Sequence, residues 1–280
     1  MPAMKHRIAA KFRDLRARNE AALIPYVVAG DPSLDATAAL IREFEARGAD
    51  LIELGVPFSD PMADGPANQR AAQRGLKSGA SLAAILAMVS ELRKETEIPI
   101  ILFGYFNPIF HYGCERLCAD AARAGVDALL VVDLPPDEAA ELKTPARAHG
   151  LDLIFLLAPT TPIERAHKVV RSASGFIYYV SVTGVTGART TLASDLEEQV
   201  NSLRGVTDLP IGVGFGISTP AQAAQVARFS DAVVVGSALS LLLEANESSP
   251  ELVKNVSELV GSMKSAMRAA RSGALAEASS

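Results

Sequence analysis

The sequence predicts an α/β protein, a single (β/α)8 barrel of the TIM type. Three observations carry that expectation. Eight short β-branched or aliphatic runs are spread along the 280 residues. Each is nearly continuously apolar, as parallel strands covered on both faces must be. Between them lie Ala/Leu/Glu/Arg-rich stretches with helical spacing, and right-handed crossovers close eight such units into a barrel. An open doubly wound sheet is the alternative. It would leave two edge strands and usually has fewer strands, and the even spacing here, without a long linker, favours closure.

The elements follow in order. An extra helix over 4–18 precedes the barrel and is placed to plug its bottom. The first strand covers 23–29. A helix over 34–47 has Ser33 as its N-cap and Gly48 as its C-terminal glycine. The second strand covers 51–56, and the segment 57–81 after it is far longer than an ordinary βα loop. A helix over 81–95 shows Leu82, Ile85, Leu86 and Val89 on one face. Strands at 98–103, 128–132, 153–157 and 176–181 come next, with a helix over 136–149 that ends at Gly150. A second long connection, 183–195, is rich in Gly and Thr. The last units are a strand at 211–214, a helix over 219–229 and a strand at 232–235. The phrases Arg47-Gly48-Ala49-Asp50 and Ala124-Gly125-Val126-Asp127 read as tight helix-to-strand turns. One barrel domain is expected over 1–270, and a frayed tail over 271–280, where residues are small and polar.

Composition removes several classes. Apolar types make up 49% of the chain, enough for a large core, and charged residues 21%, which excludes wholesale disorder. Twenty-seven Lys and Arg against 32 Asp and Glu leave a net charge of −5, which argues against a nucleic-acid or anionic-membrane platform. Two cysteines, Cys114 and Cys118, cannot make a disulfide framework. The N-terminal residues lack the apolar run of a signal peptide, and no stretch reaches 18 uninterrupted apolar residues. The expected setting is soluble and cytoplasmic. Ten Phe and five Tyr are present but no Trp.

Four places could carry chemistry. Glu53 interrupts an apolar strand near its C-terminal end. A buried carboxyl there holds its proton to higher pH, which suits proton transfer near neutrality; the alternative is a structural carboxylate tied to backbone or an arginine. Asp60 and Asp64 follow in the long loop, where aspartates also serve as turn formers. Val182-Thr183-Gly184-Val185-Thr186-Gly187-Ala188-Arg189 is either a mobile phosphate cradle or an ordinary flexible loop. Gly212-Val213-Gly214-Phe215-Gly216-Ile217-Ser218 and Val235-Gly236-Ser237-Ala238 close strands 7 and 8, where barrels of this kind recurrently bind phosphate. The first of these lacks the dinucleotide spacing GxGxxG. Four scattered histidines give no metal set, and none of the eight lysines falls on a strand, which disfavours Schiff-base chemistry. What remains is a phosphorylated substrate, carboxylate acid–base chemistry and no cofactor.

The motifs resemble those of the tryptophan synthase alpha chain family over roughly residues 5–268. The resemblance runs through Pro25-Tyr26-Val27-Val28-Ala29-Gly30-Asp31-Pro32, then Glu53-Leu54-Gly55-Val56-Pro57-Phe58-Ser59-Asp60-Pro61-Met62-Ala63-Asp64-Gly65-Pro66, and Asn107-Pro108. It continues in Gly184-Val185-Thr186-Gly187, Gly214-Phe215-Gly216-Ile217-Ser218 and Gly236-Ser237-Ala238. The glutamate–aspartate segment is the specific part, since the glycine clusters occur in other phosphate-binding barrels.

That resemblance implies retro-aldol cleavage of indole-3-glycerol phosphate to indole and glyceraldehyde 3-phosphate. It assigns Glu53 as the acid–base group, Asp64 as the carboxylate stabilising charge on the indole N–H, and Tyr178 as a site tyrosine near the glutamate. Gly184, Gly187, Gly214, Gly216, Gly236 and Ser237 become the phosphate set, and Thr186 meets Asp64 when the strand-6 loop closes. Tyr26, Phe103, Leu130, Leu156 and Phe215 line the indole, with plain barrel core as the alternative for these five. The implied partner is a beta chain carrying pyridoxal phosphate, in an α2β2 heterotetramer, met around Pro57, Asp60, Asn107 and Pro135. A stand-alone lyase shares every one of these motifs, and a non-catalytic phospho-ligand barrel would leave Glu53 and Asp64 without a purpose. On the implied reaction, the chain makes the precursor of the one amino acid it lacks.

Overall fold

The structure, a computed structural model, describes residues 6–180, 191–214 and 216–278. Within them eight parallel strands pair in sequence order and close into a barrel. They are β1 (Ala22–Val28), β2 (Ile52–Gly55), β3 (Ile100–Gly104), β4 (Ala128–Val131), β5 (Asp152–Leu157), β6 (Ile177–Val180), β7 (Ile211–Gly214) and β8 (Ala232–Val235). β8 returns to β1 in the register Ala22↔Ala232 to Pro25↔Val235. The closed barrel predicted from eight apolar runs is what forms, and the open sheet is not.

Alternation along each strand divides two cores. Ala22, Ile24, Ile101, Leu130, Ile154, Tyr178 and Val234 point inward. Leu23, Val27, Leu54, Leu129, Tyr179 and Val233 point outward against the helices. The first helix, α1 (Arg7–Ala17), brings Ile8, Phe12 and Leu15 up against the inner set and closes the bottom, with the Phe12 and Phe176 rings 5.8 Å apart.

The outer layer contains α2 (Leu34–Ala46), α3 (Pro66–Lys77), α4 (Leu82–Leu92), α5 (Phe106–Tyr112), α6 (Cys114–Ala124), α7 (Ala140–Ala148), α8 (Ile163–Ser172), α9 (Thr191–Arg204), α10 (Pro220–Ala227), α11 (Ser237–Asn246) and α12 (Leu252–Ala278). Ser33 caps α2 as expected, accepting from the Ala36 N–H. Ser81 likewise accepts from the Ala84 N–H, and Thr219 with Gln222 forms a capping box. Beyond small shifts at the ends of most elements, two larger departures from the sequence reading stand out. The long 57–81 segment contains α3, whose buried face is only Ala71, Ala72 and Gly75, too small to give an apolar periodicity. α12 runs on to Ala278, past the boundary drawn at 270, and Arg271 within it donates to the Ala227 and Ser230 carbonyls. No single described helix is long and apolar enough to cross a membrane.

The helix-to-strand turns carry a repeated device at the bottom of the barrel. An aspartate just before an even-numbered strand accepts the first N–H region of the preceding odd strand. Asp50 takes the Leu23 N–H, Asp127 the Ile100 N–H and Asp231 the Ile211 N–H, each at 2.9 Å. In the remaining quarter the Ser174 hydroxyl takes the Leu153 N–H. Each aspartate is also paired with a cation: Asp50 with the buried Lys264, Asp127 with Arg7 and Arg93, Asp231 with Arg204. These ties fix the strand ends opposite the functional face.

Candidate active site

At the C-terminal ends of the strands lies a cavity of about 290 Å³, lined by Tyr26, Glu53, Asp64, Asn68, Phe103, Tyr178, Gly216, Gly236 and Ser237 among others. Glu53 enters it from β2, level with Tyr26 on β1 and Ile101 on β3. It is 1% exposed, and neither carboxyl oxygen has a hydrogen-bond partner among the described residues. Burial with nothing to stabilise the anion pushes its pKa up to about 8. Among the described residues nothing ties Glu53 as the structural carboxylate that the sequence left open.

Asp64 sits in the turn before α3. Burial raises its pKa, while hydrogen bonds from Tyr105 and Asn68 oppose the rise. The Tyr105 hydroxyl donates to Asp64 Oδ2 at 2.9 Å and accepts the Ala63 N–H at 3.0 Å. Gln69 Nε2 donates to the Asp64 carbonyl at 2.8 Å. The backbone and the side chain of Asp64 are thus held separately. Tyr105 and Asn68 were not singled out in the sequence. The available signal for Tyr105 was its place just past the C-terminal end of an apolar strand; Asn68 gave none.

The tyrosines are large and the barrel makes room for them with glycine. A Cβ on Gly55 would lie 2.6 Å from the Tyr26 hydroxyl, and one on Gly214 would collide with the Tyr178 hydroxyl. Gly214 therefore acts beneath Tyr178. Burial first, and the neighbouring carboxylates second, keep both phenols far above their ordinary pKa, so they are neutral donors. Tyr179 points outward, is buried, and donates to Gln199 Oε1 at 2.8 Å.

Gly236 and Ser237 form the N-terminus of α11, where no side chain caps the helix. Uncapped N–H groups and the helix dipole favour an anion there. Gly216 has a φ of +73°, a conformation that exposes its backbone to the cavity and that other residues rarely adopt.

Of the expected indole lining, Tyr26 and Phe103 border this cavity, their rings 5.0 Å apart. Leu130 is fully buried in the inner core, and Leu156 borders a separate cavity beside β4–β6. Gly184, Thr186, Gly187 and Phe215 lie outside the described residues. Of the expected partner residues, Asp60 and Asn107 are exposed and Pro135 is half-buried. Pro57 is buried: its Cβ is 3.2 Å from where a Gly75 Cβ would stand, because α3 folds over the end of β2. No group of three or more potential metal ligands occurs among the described residues.

Fold and site together define a barrel enzyme of the acid–base type, with two carboxylates and an anion-ready helix end on one cavity. The comparisons with known proteins narrow the class. A model of the tryptophan synthase alpha chain family matches residues 12–268. The alpha chain of Citrifermentans bemidjiense is 57% identical, covering 92% of this chain and 96% of its own. That of Gluconacetobacter diazotrophicus is 53% identical, covering 95% and 99%. Among solved structures, the alpha subunit from Legionella pneumophila superposes with a TM-score of 0.87 at 40% identity, covering 93% and 98%. Tryptophan synthase from Mycobacterium tuberculosis gives 0.84 at 37%, covering 94% and 98%. The chain belongs to the tryptophan synthase alpha chain family. It is accordingly a lyase of tryptophan biosynthesis, acting on indole-3-glycerol phosphate.

Proposed function

We propose that Glu53 performs both proton transfers in the cleavage of indole-3-glycerol phosphate, and that Asp64 holds the indole N–H. The observation that carries this reading is the burial of Glu53 with neither oxygen paired among the described residues, which keeps it protonated near neutrality. The bond to be broken joins the glycerol chain to a ring carbon, and that carbon must gain a proton before it can leave. Glu53 supplies it. Positive charge then develops on the ring nitrogen, and the Asp64 carboxylate accepts its N–H. Glu53, now an anion in apolar surroundings, takes the proton of the adjacent glycerol hydroxyl. The carbon–carbon bond breaks, its electrons return to the ring, and the aldehyde forms. One proton is given and one taken, so Glu53 ends as it began. Tyr178 serves beside it as a neutral phenol.

The phosphate end is read onto the N–H groups of Gly216, Gly236 and Ser237, with the Ser237 hydroxyl. Gly214 shapes the site by admitting Tyr178. Gly184, Gly187 and Thr186 complete this set on the strength of family resemblance.

We further infer a beta-chain partner in an α2β2 assembly, which consumes the indole and carries the pyridoxal phosphate. No described lysine lines the cavity to hold that cofactor here. Support for the partner comes from the Mycobacterium tuberculosis tryptophan synthase similarity and from the exposed face around Asp60 and Asn107.

The test is indole release by Glu53→Gln and Asp64→Asn, made separately. Turnover should fall by about 10²–10⁴ in each, the range for a placed acid–base group, while phosphate-ligand binding survives. Near-normal turnover in either variant removes that residue from the mechanism.

A further inference from the structure

The catalytic assignment of Asp64 requires its carboxylate to be ionised and aimed into the cavity, and a turn aspartate has no such orientation by itself. Tyr105 holds one side of it. The other side faces Asn68, in the first turn of α3, which also lines the cavity. An asparagine amide has one acceptor end and one donor end. Here the acceptor end is taken: the Ser240 hydroxyl, buried on α11, donates to Asn68 Oδ1 at 2.8 Å. With the acceptor end held on α11, the NH2 end is left for the cavity that Asn68 and Asp64 share, where Asn68 is a hydrogen-bonding partner that favours the Asp64 carboxylate. The tie does not stand alone. Arg70 on α3 makes a two-point contact with Glu244 on α11, at 2.7 and 2.8 Å. Arg74 does the same with the buried Asp31 after β1, at 2.7 and 2.9 Å, and its second nitrogen also reaches the Ser240 carbonyl. α3 is therefore clamped to α11, the helix whose N-terminus forms the anion-ready end of the cavity.

We propose that Asn68 is a positioning residue: oriented by Ser240 on α11, its amide aims and stabilises the Asp64 carboxylate that receives the indole N–H. The proposal rests on the reading of Asp64 as the working carboxylate. It links the placement of the phosphate-binding helix to that of the charge-stabilising group, through two side chains.

Asn68→Asp separates the two halves of the role. It keeps an acceptor for Ser240 but loses the donor and adds a second negative charge. The titratable groups facing Asp64 are Tyr105, Tyr26 and Tyr178, with Glu53 on the same cavity, and all stay in place. Arg70, Arg74 and Glu244 are also unchanged. The acid limb of the pH profile for indole release should move up by about one unit, since lost hydrogen bonding and a like charge both disfavour the anion. On the plateau above that limb kcat should fall about 10-fold as well, because the carboxylate is no longer aimed, with KM within about two-fold. Asn68→Ala should shift the limb the same way by less, and Ser240→Ala should lower kcat a few-fold without a KM change.

An Asn68→Asp profile that superimposes on the wild type overturns the proposal, and so does a loss confined to KM, which would make Asn68 a substrate contact. If Asn68→Asp does not fold, Asn68→Ala is read on the same profile, and the absence of a shift overturns the proposal equally. Asp64→Asn distinguishes the two levels. Retained turnover there removes the Asp64 reading, whereas collapse there with an unshifted Asn68→Asp profile removes only the role of Asn68.

Discussion

Glu53 is a buried carboxyl with no hydrogen-bond partner among the described residues, and holding it there costs stability in a pH-dependent way. Its pKa is 4.5 in the exposed chain and about 8 in the folded one. Below pH 4.5 both forms carry the proton and the residue is neutral in its effect. As pH rises through 4.5 only the unfolded chain loses the proton, so the native state is progressively disfavoured, and the penalty levels off above 8. Glu53→Gln does not titrate. It should be more stable than the wild type by about 3 kcal/mol at pH 7, at about 1.4 kcal/mol per pH unit, and equal to it near pH 4. Urea unfolding at both pH values checks this; a difference independent of pH contradicts the placement. The same carboxyl must start protonated, so indole release should decline as pH rises through about 8. Gly216→Val should act at the other end of the cavity. A β-branched residue at φ +73° is strained and covers the backbone N–H, so KM for the phosphorylated substrate should rise about 10-fold or more. An unchanged KM counts against the anion role of this glycine. Glu53 was legible in the sequence because a lone charge in an apolar strand breaks a pattern. Tyr105 and Asn68 break no pattern, and their roles come from proximity across β3, α3 and α11.

At the scale of elements, the strands were legible because both faces are covered, which makes each a continuous apolar run. α3 was not, because its sequence PANQRAAQRGLK packs through alanine and glycine and is tied by Arg70, Arg74 and Asn68 rather than by an apolar stripe. The turns Gly48-Ala49-Asp50 and Gly125-Val126-Asp127 were visible as turns, but which strand each aspartate clamps depends on the closed barrel. Asp127 is the most loaded of these clamps. It accepts the Ile100 N–H and pairs with Arg93 at 2.8 Å and Arg7 at 2.9 Å. Arg93 also donates to the carbonyls of Gly125, Thr96 and Ile98, so it cannot leave when its partner is removed. Asp127→Ala should therefore cost about 3–5 kcal/mol, the range for stranding a buried partner, whereas Asp127→Asn keeps an acceptor for Ile100 and should cost less. The ranking of urea midpoints, wild type above Asn above Ala, checks the clamp. Equal midpoints for the two variants would show that charge rather than the strand contact dominates.

At the scale of the whole molecule, the two most exposed large apolar side chains among the described residues stand close in sequence to the expected partner residues Asp60 and Asn107. Met62 is 89% exposed in the loop that holds Asp60 and Asp64, and Phe110 is 59% exposed on α5, three residues after Asn107. Phe106 lies against Phe110, with ring centroids 5.9 Å apart. Phe58 lies against Tyr105, whose hydroxyl binds Asp64, with centroids 5.4 Å apart. Aromatic and methionine side chains of this kind are enriched where partners dock. The covalent path from that surface to the Asp64 carboxylate is short, through the loop between Phe58 and Asp64. A beta chain seated there could therefore act on the rate as well as capture the product. Indole release should rise at least 10-fold on adding a beta chain, and high activity of the isolated chain with no response would favour a stand-alone lyase. Phe110→Asp places a charge in the contact without touching the cavity. It should raise the beta-chain concentration needed for half-maximal activation by about 10-fold or more, as loss of a buried aromatic anchor does, with unchanged release in the absence of partner. The chain contains no Trp, so fluorescence from an indole-bearing ligand is read against a protein with no indole of its own. An activation curve for Phe110→Asp identical to the wild type would move the partner off this face, and would leave Met62 and Phe110 as exposed side chains of no consequence to assembly.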